Sequence, residues 1–344
     1  MRWAGWLLAF WVACGGTGSG GGGGSDVVTD GGVVTDGAVA ADCVGLIPAV
    51  PPGTAIAFDV PSNANDPVTC GRSTVDGAGF IAAFVPSQTK PQQWMAFDPN
   101  GMRWGTFDVP TELFAQPKGF MGLSGAIEFV TLWDSGGSGP PSSTAATAIG
   151  PAFGTGAIAL SADTASLTVT KVDEHVDKVA SATVAGTFAP RTAAEDSSGA
   201  VLVLTGGGSA INGTWVDMAK QTAGQPFAVG TATSVKARPL LGGGIAIQLD
   251  GHWAGVVRPG EAALRPAPAW LGDSRDFIPA RGGNAYAVMP NSGNAVGIVS
   301  AQGNSCGSVA YPGVTAVSVG IDGTVVGSTG TAGCTKYVWR NALR

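Results

Sequence analysis

Short apolar segments recur along the chain, and each follows a glycine or a turn of small residues. Seven of them stand out: Phe80 to Val85, Ile127 to Trp133, Ala157 to Ser161, Ala200 to Leu204, Ile245 to Leu249, Ala285 to Met289 and Thr324 to Ser328. Their length and their bounding turn residues are typical of β-strands. Most of them start about 40 to 46 residues apart, which is the length of one four-stranded blade. We therefore predict an all-β fold, a single β-propeller of seven four-stranded blades.

The order of strands within a blade is clearest near the C-terminus. From Asp276 onward, four segments follow one another through tight turns: Phe277 to Ala280, Asn284 to Met289, Ala295 to Ser300 and Gly307 to Tyr311. This order predicts a four-stranded meander. Only the interval between the second and third segments of the whole series is short, about 30 residues, so the second blade is either truncated or wrongly assigned.

The final unit, Thr315 to Trp339, shows three strands rather than four. A fourth is available near the N-terminus, because Thr54 to Val60 (TAIAFDV) resembles the outer-strand segment Gly105 to Val109 (GTFDV). Closing the ring in this way removes the free sheet edges that promote aggregation. We expect the N-terminal strand to complete the last blade.

The composition fits this picture and excludes one class of partner. The chain has 55 glycines and is 44% hydrophobic but only 12% charged, as expected for many tight turns between short apolar strands. Its net charge is −6, and the 18 lysines and arginines form no cluster. Nucleic acid is therefore not an expected partner, because the positive surface that a phosphate backbone requires is missing.

The N-terminus has the layout of a bacterial export signal. A basic start at Met1-Arg2 is followed by the apolar stretch Trp3 to Ala13, which is too short to span a membrane as a helix. Trp11-Val12-Ala13-Cys14 resembles a lipobox, with Trp11 where leucine is usual, and the resemblance implies that Cys14 is lipidated. The alternative is an ordinary cleaved signal with an incidental cysteine.

These features predict three regions and a location. We assign residues 1–13 to the signal peptide, residues 14–41 to the lipid anchor and a flexible Gly/Ser linker, and residues 42–344 to the propeller. Gly15 and Gly16, without an aspartate, resemble the sorting pattern for the outer membrane. The expected location is the bacterial outer membrane, as a lipoprotein, or the extracellular space, with the lipid anchor as the sole membrane attachment.

Four cysteines remain after Cys14, and an even number in an exported chain predicts two disulfides. Pairing Cys43 with Cys306 and Cys70 with Cys334 locks the two chain ends together, because alternating strand directions place each pair on one face of the ring. Pairing Cys43 with Cys70 and Cys306 with Cys334 is the simpler alternative, and we favour closure only slightly. With no Cys-x-x-Cys pair and only two histidines, no metal site is expected.

The segment Val319 to Asn341, VGIDGTVVGSTGTAGCTKYVWRN, resembles the extracellular bacterial repeats named for a His-Ala-Phe signature. Thr335-Lys336-Tyr337 stand where His-Ala-Phe would be, and about 25 residues carry the likeness. The resemblance implies a propeller and export. It implies no activity.

Tryptophans are the first candidates for a binding surface. Four of them fall in the third strand of different units and are expected to fill the space between blades: Trp94, Trp215, Trp253 and Trp339. Three others do not share that position and are the better candidates for contact with a ligand: Trp104, Trp133 and Trp270.

No convincing catalytic residue emerges. Asp59, Asp98 and Asp108 each follow a phenylalanine, and such repeated aspartates usually accept backbone hydrogen bonds in a turn, although paired carboxylates could also hydrolyse glycosides. The sequence thus predicts a monomeric, non-enzymatic binding or scaffolding propeller without a cofactor, whose partner is a protein or glycan at the cell surface. An extracellular polysaccharide hydrolase or lyase is the alternative.

Overall fold

The computed structural model describes residues 40–48, 53–60, 73–85, 93–108, 113–123, 126–130, 143–329 and 334–343. Within these residues the chain forms 28 strands and two short 3-10 helices, Ala41–Cys43 and Arg281–Gly283. The strands form seven antiparallel sheets, and the first strands of several neighbouring sheets contact one another. The chain is a seven-bladed β-propeller. The predicted signal peptide, Cys14 and nearly all of the linker lie outside the described residues.

The blades are numbered in chain order, and their strands are given from the innermost outward. The first strand of the chain, β1 (Ile56–Val60), belongs to the last blade. Blade 1 contains β2 (Ser73–Val75), β3 (Ile81–Val85), β4 (Gln93–Phe97) and β5 (Arg103–Asp108). Blade 2 contains β6 (Phe114–Gln116), β7 (Gly119–Leu123), β8 (Ala126–Val130) and β9 (Ser143–Ala145). Blade 3 contains β10 (Ala148–Pro151), β11 (Ala157–Ala162), β12 (Ser166–Val172) and β13 (Lys178–Ala185).

The later blades follow the same order with two variations. Blade 4 contains β14 (Pro190–Glu195), β15 (Val201–Thr205) and β16 (Ala210–Asp217), with β17 (Thr222–Ala223) and β18 (Phe227–Thr231) both beside β16. Blade 5 contains β19 (Val235–Pro239), β20 (Ile245–Leu249) and β21 (His252–Val257). Blade 6 contains β22 (Ser274–Ala280), β23 (Ala285–Pro290), β24 (Ala295–Ser300) and β25 (Ser305–Ala310). Blade 7 contains β26 (Ala316–Val319), β27 (Val325–Ser328), β28 (Cys334–Trp339) and then β1.

The last blade is completed by the N-terminal strand, as predicted. Strand β1 pairs antiparallel with β28, from Ile56 opposite Val338 to Val60 opposite Cys334. The outer edge of β28 is thereby covered by the other end of the chain, which holds the ring closed.

Blade 2 is complete, and its predicted second strand was wrong. The segment Ile127 to Trp133 overlaps β8, the third strand, whereas the second strand is β7, whose sequence GFMGL contains two glycines. Glycine weakens the intrinsic preference for a strand, so the more β-branched and aromatic β8 gives the stronger pattern. With β7 in place, the second strands of consecutive blades start 38 to 44 residues apart.

Blade 5 departs from the predicted four strands, because it has three. The segment of residues 258–273 passes beside β21 and joins it through one isolated bridge, between Val256 and Arg265. This segment contains Pro259, Pro266 and Pro268. Proline has no N–H to donate to a ladder, which explains why the segment does not form a fourth strand.

The third-strand tryptophans pack between blades, as predicted. Three of them are almost fully buried: Trp94, Trp253 and Trp339, at 2%, 8% and 4% exposure. Trp94 clusters with Leu113 and Phe120 of the next blade. Trp339 packs against Tyr311 at 5.0 Å between ring centroids. Burial of apolar surface between adjacent blades is the main contribution to the stability of a propeller.

Polar side chains at the ends of inner strands connect successive blades. Asp76 accepts the backbone N–H of Gly119 in blade 2 at 2.7 Å, and Gln116 accepts that of Gly156 in blade 3 at 2.7 Å. Asp76 is fully buried, and this burial raises its pKa to about 6 although three backbone N–H groups stabilise the ionised form. These contacts fix the inner strands relative to one another, which makes the centre of the ring rigid.

One of the two predicted disulfides is present. Cys43 is bonded to Cys306, so the alternative of sequence-local pairing is wrong. Next to the bond, the carboxylate of Asp42 accepts hydrogen bonds from Ser300 and Asn304. Cys334 is also disulfide-bonded, but Cys70 lies outside the described residues, so the bond between Cys70 and Cys334 stays a prediction.

Candidate functional site

A cavity of about 450 Å³ occupies the channel of the propeller. It is lined by inner strands of six blades: β2, β6, β10, β19, β22 and β26. Its volume lies within the range of sites that hold small molecules, about 300 to 1,000 Å³. The cavity is therefore the first candidate for a ligand site.

The remaining inner strand, β14 of blade 4, contributes no lining residue in the described part of the chain because it lies tightly against β10. A Cβ built on Gly150 would stand 1.7 Å from the carbonyl oxygen of Ala193. The hydroxyl of Thr192 donates to the carbonyl of Ile149 at 2.9 Å. This close approach leaves no room for a lining side chain between β14 and β10, whereas Pro151 at the end of β10 still lines the cavity.

The charged side of the cavity is built by blades 5 and 6. Asp276 of β22 lies between two cations of β19, with Lys236 Nζ at 2.9 Å and Arg238 Nη2 at 2.9 Å from Oδ2. Arg238 Nε also donates to Oδ1 at 3.1 Å, which makes the arginine contact bidentate. Burial opposes ionisation of Asp276, but the two cations outweigh it and hold its pKa well below the usual range.

Arg275 adds a third cation to the same wall. Its Nη2 donates to the carbonyl oxygen of Val317 at 2.6 Å and lies 3.4 Å from Ser318 Oγ, both in the inner strand of blade 7. Among the described residues that line the cavity, three side chains are cationic and one, Asp276, is a carboxylate.

Aromatic side chains of blades 2 and 3 line another part of the cavity. They are Phe114 and Phe153, both partly exposed. The guanidinium carbon of Arg238 lies 5.7 Å from the centroid of the Phe114 ring, so the charged and aromatic sides meet in a cation–π contact. The backbone N–H of Phe153 donates to Glu195 Oε2 at 2.9 Å, which anchors the turn that carries this ring.

The tryptophans predicted to contact a ligand lie elsewhere. Trp104 packs against Phe80 with ring centroids 5.9 Å apart, and Trp270 stacks on Tyr286 at 4.9 Å. Neither is among the residues that line the cavity. Trp133 lies outside the described residues. A role for these tryptophans in binding stays a prediction.

The aspartates weighed as catalytic groups do not come together in the cavity. Asp98 accepts the backbone N–H groups of Asn100 at 2.8 Å and Met102 at 2.7 Å, the turn role expected for it. Asp59 accepts the hydroxyl of Thr335 at 2.6 Å. The side chain of Asp108 is outside the described part. Neither Asp59 nor Asp98 lines the cavity.

Sequence reasoning missed the charged wall because its residues are about 40 positions apart. A detectable signal was present: β19 reads VKARP and β22 reads SRDFIPA, so opposite charges occur in the inner strands of consecutive blades.

The described residues contain neither a metal-ligand cluster nor a membrane-spanning helix. No group of three or more histidines, cysteines, aspartates and glutamates is placed to hold a metal ion there. Within the same residues, no helix has the length and apolar character to cross a membrane.

Comparison with known proteins finds structural likeness but no family for the chain. No protein-family profile matches the chain, and no curated protein matches it. Among solved structures, BamB from Moraxella catarrhalis is 14% identical, with 87% of this chain and 94% of that chain covered and a TM-score of 0.39. A streptogramin B lyase is 12% identical, with 82% and 96% covered and a TM-score of 0.46. The β-propeller domain of Cps50 (Swd1) from Myceliophteria thermophila is 10% identical, with 82% and 98% covered and a TM-score of 0.45. At these identities the likeness concerns the fold alone.

Proposed function

We propose that this chain is an exported, surface-tethered binding protein, and that the cavity in the propeller channel is its ligand site. One observation carries the proposal: inner strands of six blades converge on a cavity of small-molecule size that combines aromatic rings with a hydrogen-bonded charged wall. An apolar pocket with a few convergent polar groups is the usual form of a binding site. The cavity suits a small molecule or a single residue of a larger protein or glycan partner.

Binding is favoured over catalysis by the state of the charged groups. Glycoside hydrolysis requires two carboxylates that flank the scissile bond, one of them with a raised pKa. Asp276 is the one carboxylate among the described lining residues, and its pKa is lowered by Arg238 and Lys236. A carboxylate held ionised by two cations is a poor general acid or base at neutral pH.

Narrowing the cavity tests the ligand site. Ala115 lines the cavity and is partly buried, so we expect Ala115→Phe to occupy ligand volume and abolish binding. The measurement is a thermal-shift screen of small carboxylates, sugars and short peptides against the full chain. Ala219→Phe, at an exposed position outside the cavity, is the matched control and should keep every shift. Shifts that survive Ala115→Phe would place the ligand elsewhere and contradict the proposal.

The tether is supported by the sequence of the first 41 residues and by the disulfide chemistry expected of an exported chain. We expect Cys14→Ser to release the protein from the membrane fraction and to remove a lipid mass increment. Cell fractionation and mass spectrometry measure the two effects. A wild-type chain that starts after Cys14, or that carries no lipid, would contradict tethering but leave the ligand site untouched.

A further inference from the structure

We infer that the channel cavity binds a small amphipathic carboxylate, with a flat apolar body against the aromatic rings and its carboxylate at the cations of blades 5 and 6. This inference rests on the proposed function, because it names the class of ligand for the same cavity. The observations that carry it are the charge, the shape and the rigidity of the cavity wall.

The charge of the described wall favours an anion. Lys236, Arg238 and Arg275 contribute three positive charges, and Asp276 contributes one negative charge. A positive potential in a narrow channel with apolar walls is stronger than the same charges would produce in open solvent. A carboxylate gains from this potential, whereas an ammonium group would be repelled by it.

The cations are held in position before a ligand arrives. Lys236 and Arg238 each form a salt bridge with Asp276. The guanidinium of Arg275 donates a hydrogen bond to the backbone carbonyl of Val317. Side chains that are already ordered lose little conformational entropy on binding. The N–H donors of Arg238 already serve Asp276 and the carbonyl of Ala237, so a ligand carboxylate gains from this cation through its charge.

The rest of the wall explains why the anion should carry an apolar body. Phe114 and Phe153 line the cavity and are partly exposed, and Phe114 already contacts the guanidinium of Arg238. A flat ring placed beside Phe114 buries apolar area and stacks in the offset or edge-to-face arrangements that aromatic side chains prefer. A small inorganic anion would leave this aromatic surface exposed to water.

The experiment uses two probes of nearly equal size, 2-naphthoate and 2-naphthalenemethanol, and measures their affinities for the full chain by isothermal titration calorimetry. We expect naphthoate to bind at least about tenfold more tightly than the neutral alcohol, the gain typical of a charge-assisted hydrogen bond. Its affinity should fall as the salt concentration rises. Ala115→Phe should abolish the binding of both probes.

Two arginine variants separate the role of charge from that of structure. Arg275→Gln removes a cation from the cavity wall and should weaken naphthoate by about tenfold while leaving the alcohol unchanged. Arg191→Gln is the matched control. Arg191 of blade 4 donates to the carbonyl oxygen of Thr233 in the next blade, as Arg275 donates to that of Val317. Arg191 does not line the cavity. It should leave both affinities unchanged.

The outcomes distinguish the inference from the proposed function. Equal affinity for the two probes, with both lost in Ala115→Phe, would overturn the choice of a carboxylate and leave the cavity as a ligand site. Failure of both probes to bind would overturn the inference, while the proposed ligand site would still be decided by the thermal-shift screen with Ala115→Phe. Equal losses in Arg275→Gln and Arg191→Gln would show that the arginine acts through the fold, which would also overturn the inference.

Discussion

Replacing Cys306 by serine is expected to lower the free energy of unfolding by about 2 to 5 kcal/mol, the usual cost of losing a native disulfide. The bond joins residues 263 positions apart, so it constrains most of the unfolded chain. For a loop of this length the chain-entropy treatment gives about 5.6 kcal/mol. The bond also fixes the segment that precedes β1 to blade 6, while β1 itself completes blade 7. Its loss therefore loosens both sides of the ring closure.

Denaturant unfolding under non-reducing conditions measures this effect. Cys43→Ser should cost as much as Cys306→Ser, and the double variant should cost no more than either, because all three remove the same cross-link. Contacts of Asp42 with Ser300 and Asn304 should keep the N-terminal segment docked in the folded state. A double variant as stable as the wild type would mean that the bond contributes nothing to closure.

The fold was largely predictable because a propeller repeats one local pattern. Glycine-bounded second strands such as Ala285–Pro290 and Val325–Ser328 were visible in the sequence, and the similarity of Thr54 to Val60 to Gly105 to Val109 identified the closing strand. Errors arose where a blade departs from the pattern. Glycines in β7 obscured blade 2, and three prolines beside β21 removed a strand from blade 5.

The candidate site was less predictable because it depends on which residues meet in the channel. Lys236 and Asp276 are 40 positions apart, and only the ring places them 2.9 Å from each other. The sequence favoured Trp104, Trp133 and Trp270 as ligand contacts because they do not share the repeated third-strand position. Trp270 instead stacks on Tyr286 beside Phe277. Its aromatic neighbours Tyr286 and Phe277 belong to blade 6, so the local sequence around Trp270 does not reveal them.

Replacing Gly150 by alanine is expected to destabilise the protein by about 3 kcal/mol, because the new methyl group has no space and the backbone must move. The new Cβ would stand 1.7 Å from the carbonyl oxygen of Ala193. This steric clash is relieved only if β10 and β14 separate. Separation of these strands would also break the hydrogen bond from the Thr192 hydroxyl to the carbonyl oxygen of Ile149 and shift Pro151 at the cavity wall. We therefore expect weaker ligand binding together with the loss of stability, measured by denaturant unfolding and by titration with 2-naphthoate.

Gly105→Ala is the matched control. Gly105 also lies in a strand, but no atom lies within 4 Å of the position that its Cβ would take. This variant should change stability by less than about 0.5 kcal/mol. Equal stability of the two variants would show that the inner strands of blades 3 and 4 separate at no cost, and would contradict the rigid channel on which the ligand site depends.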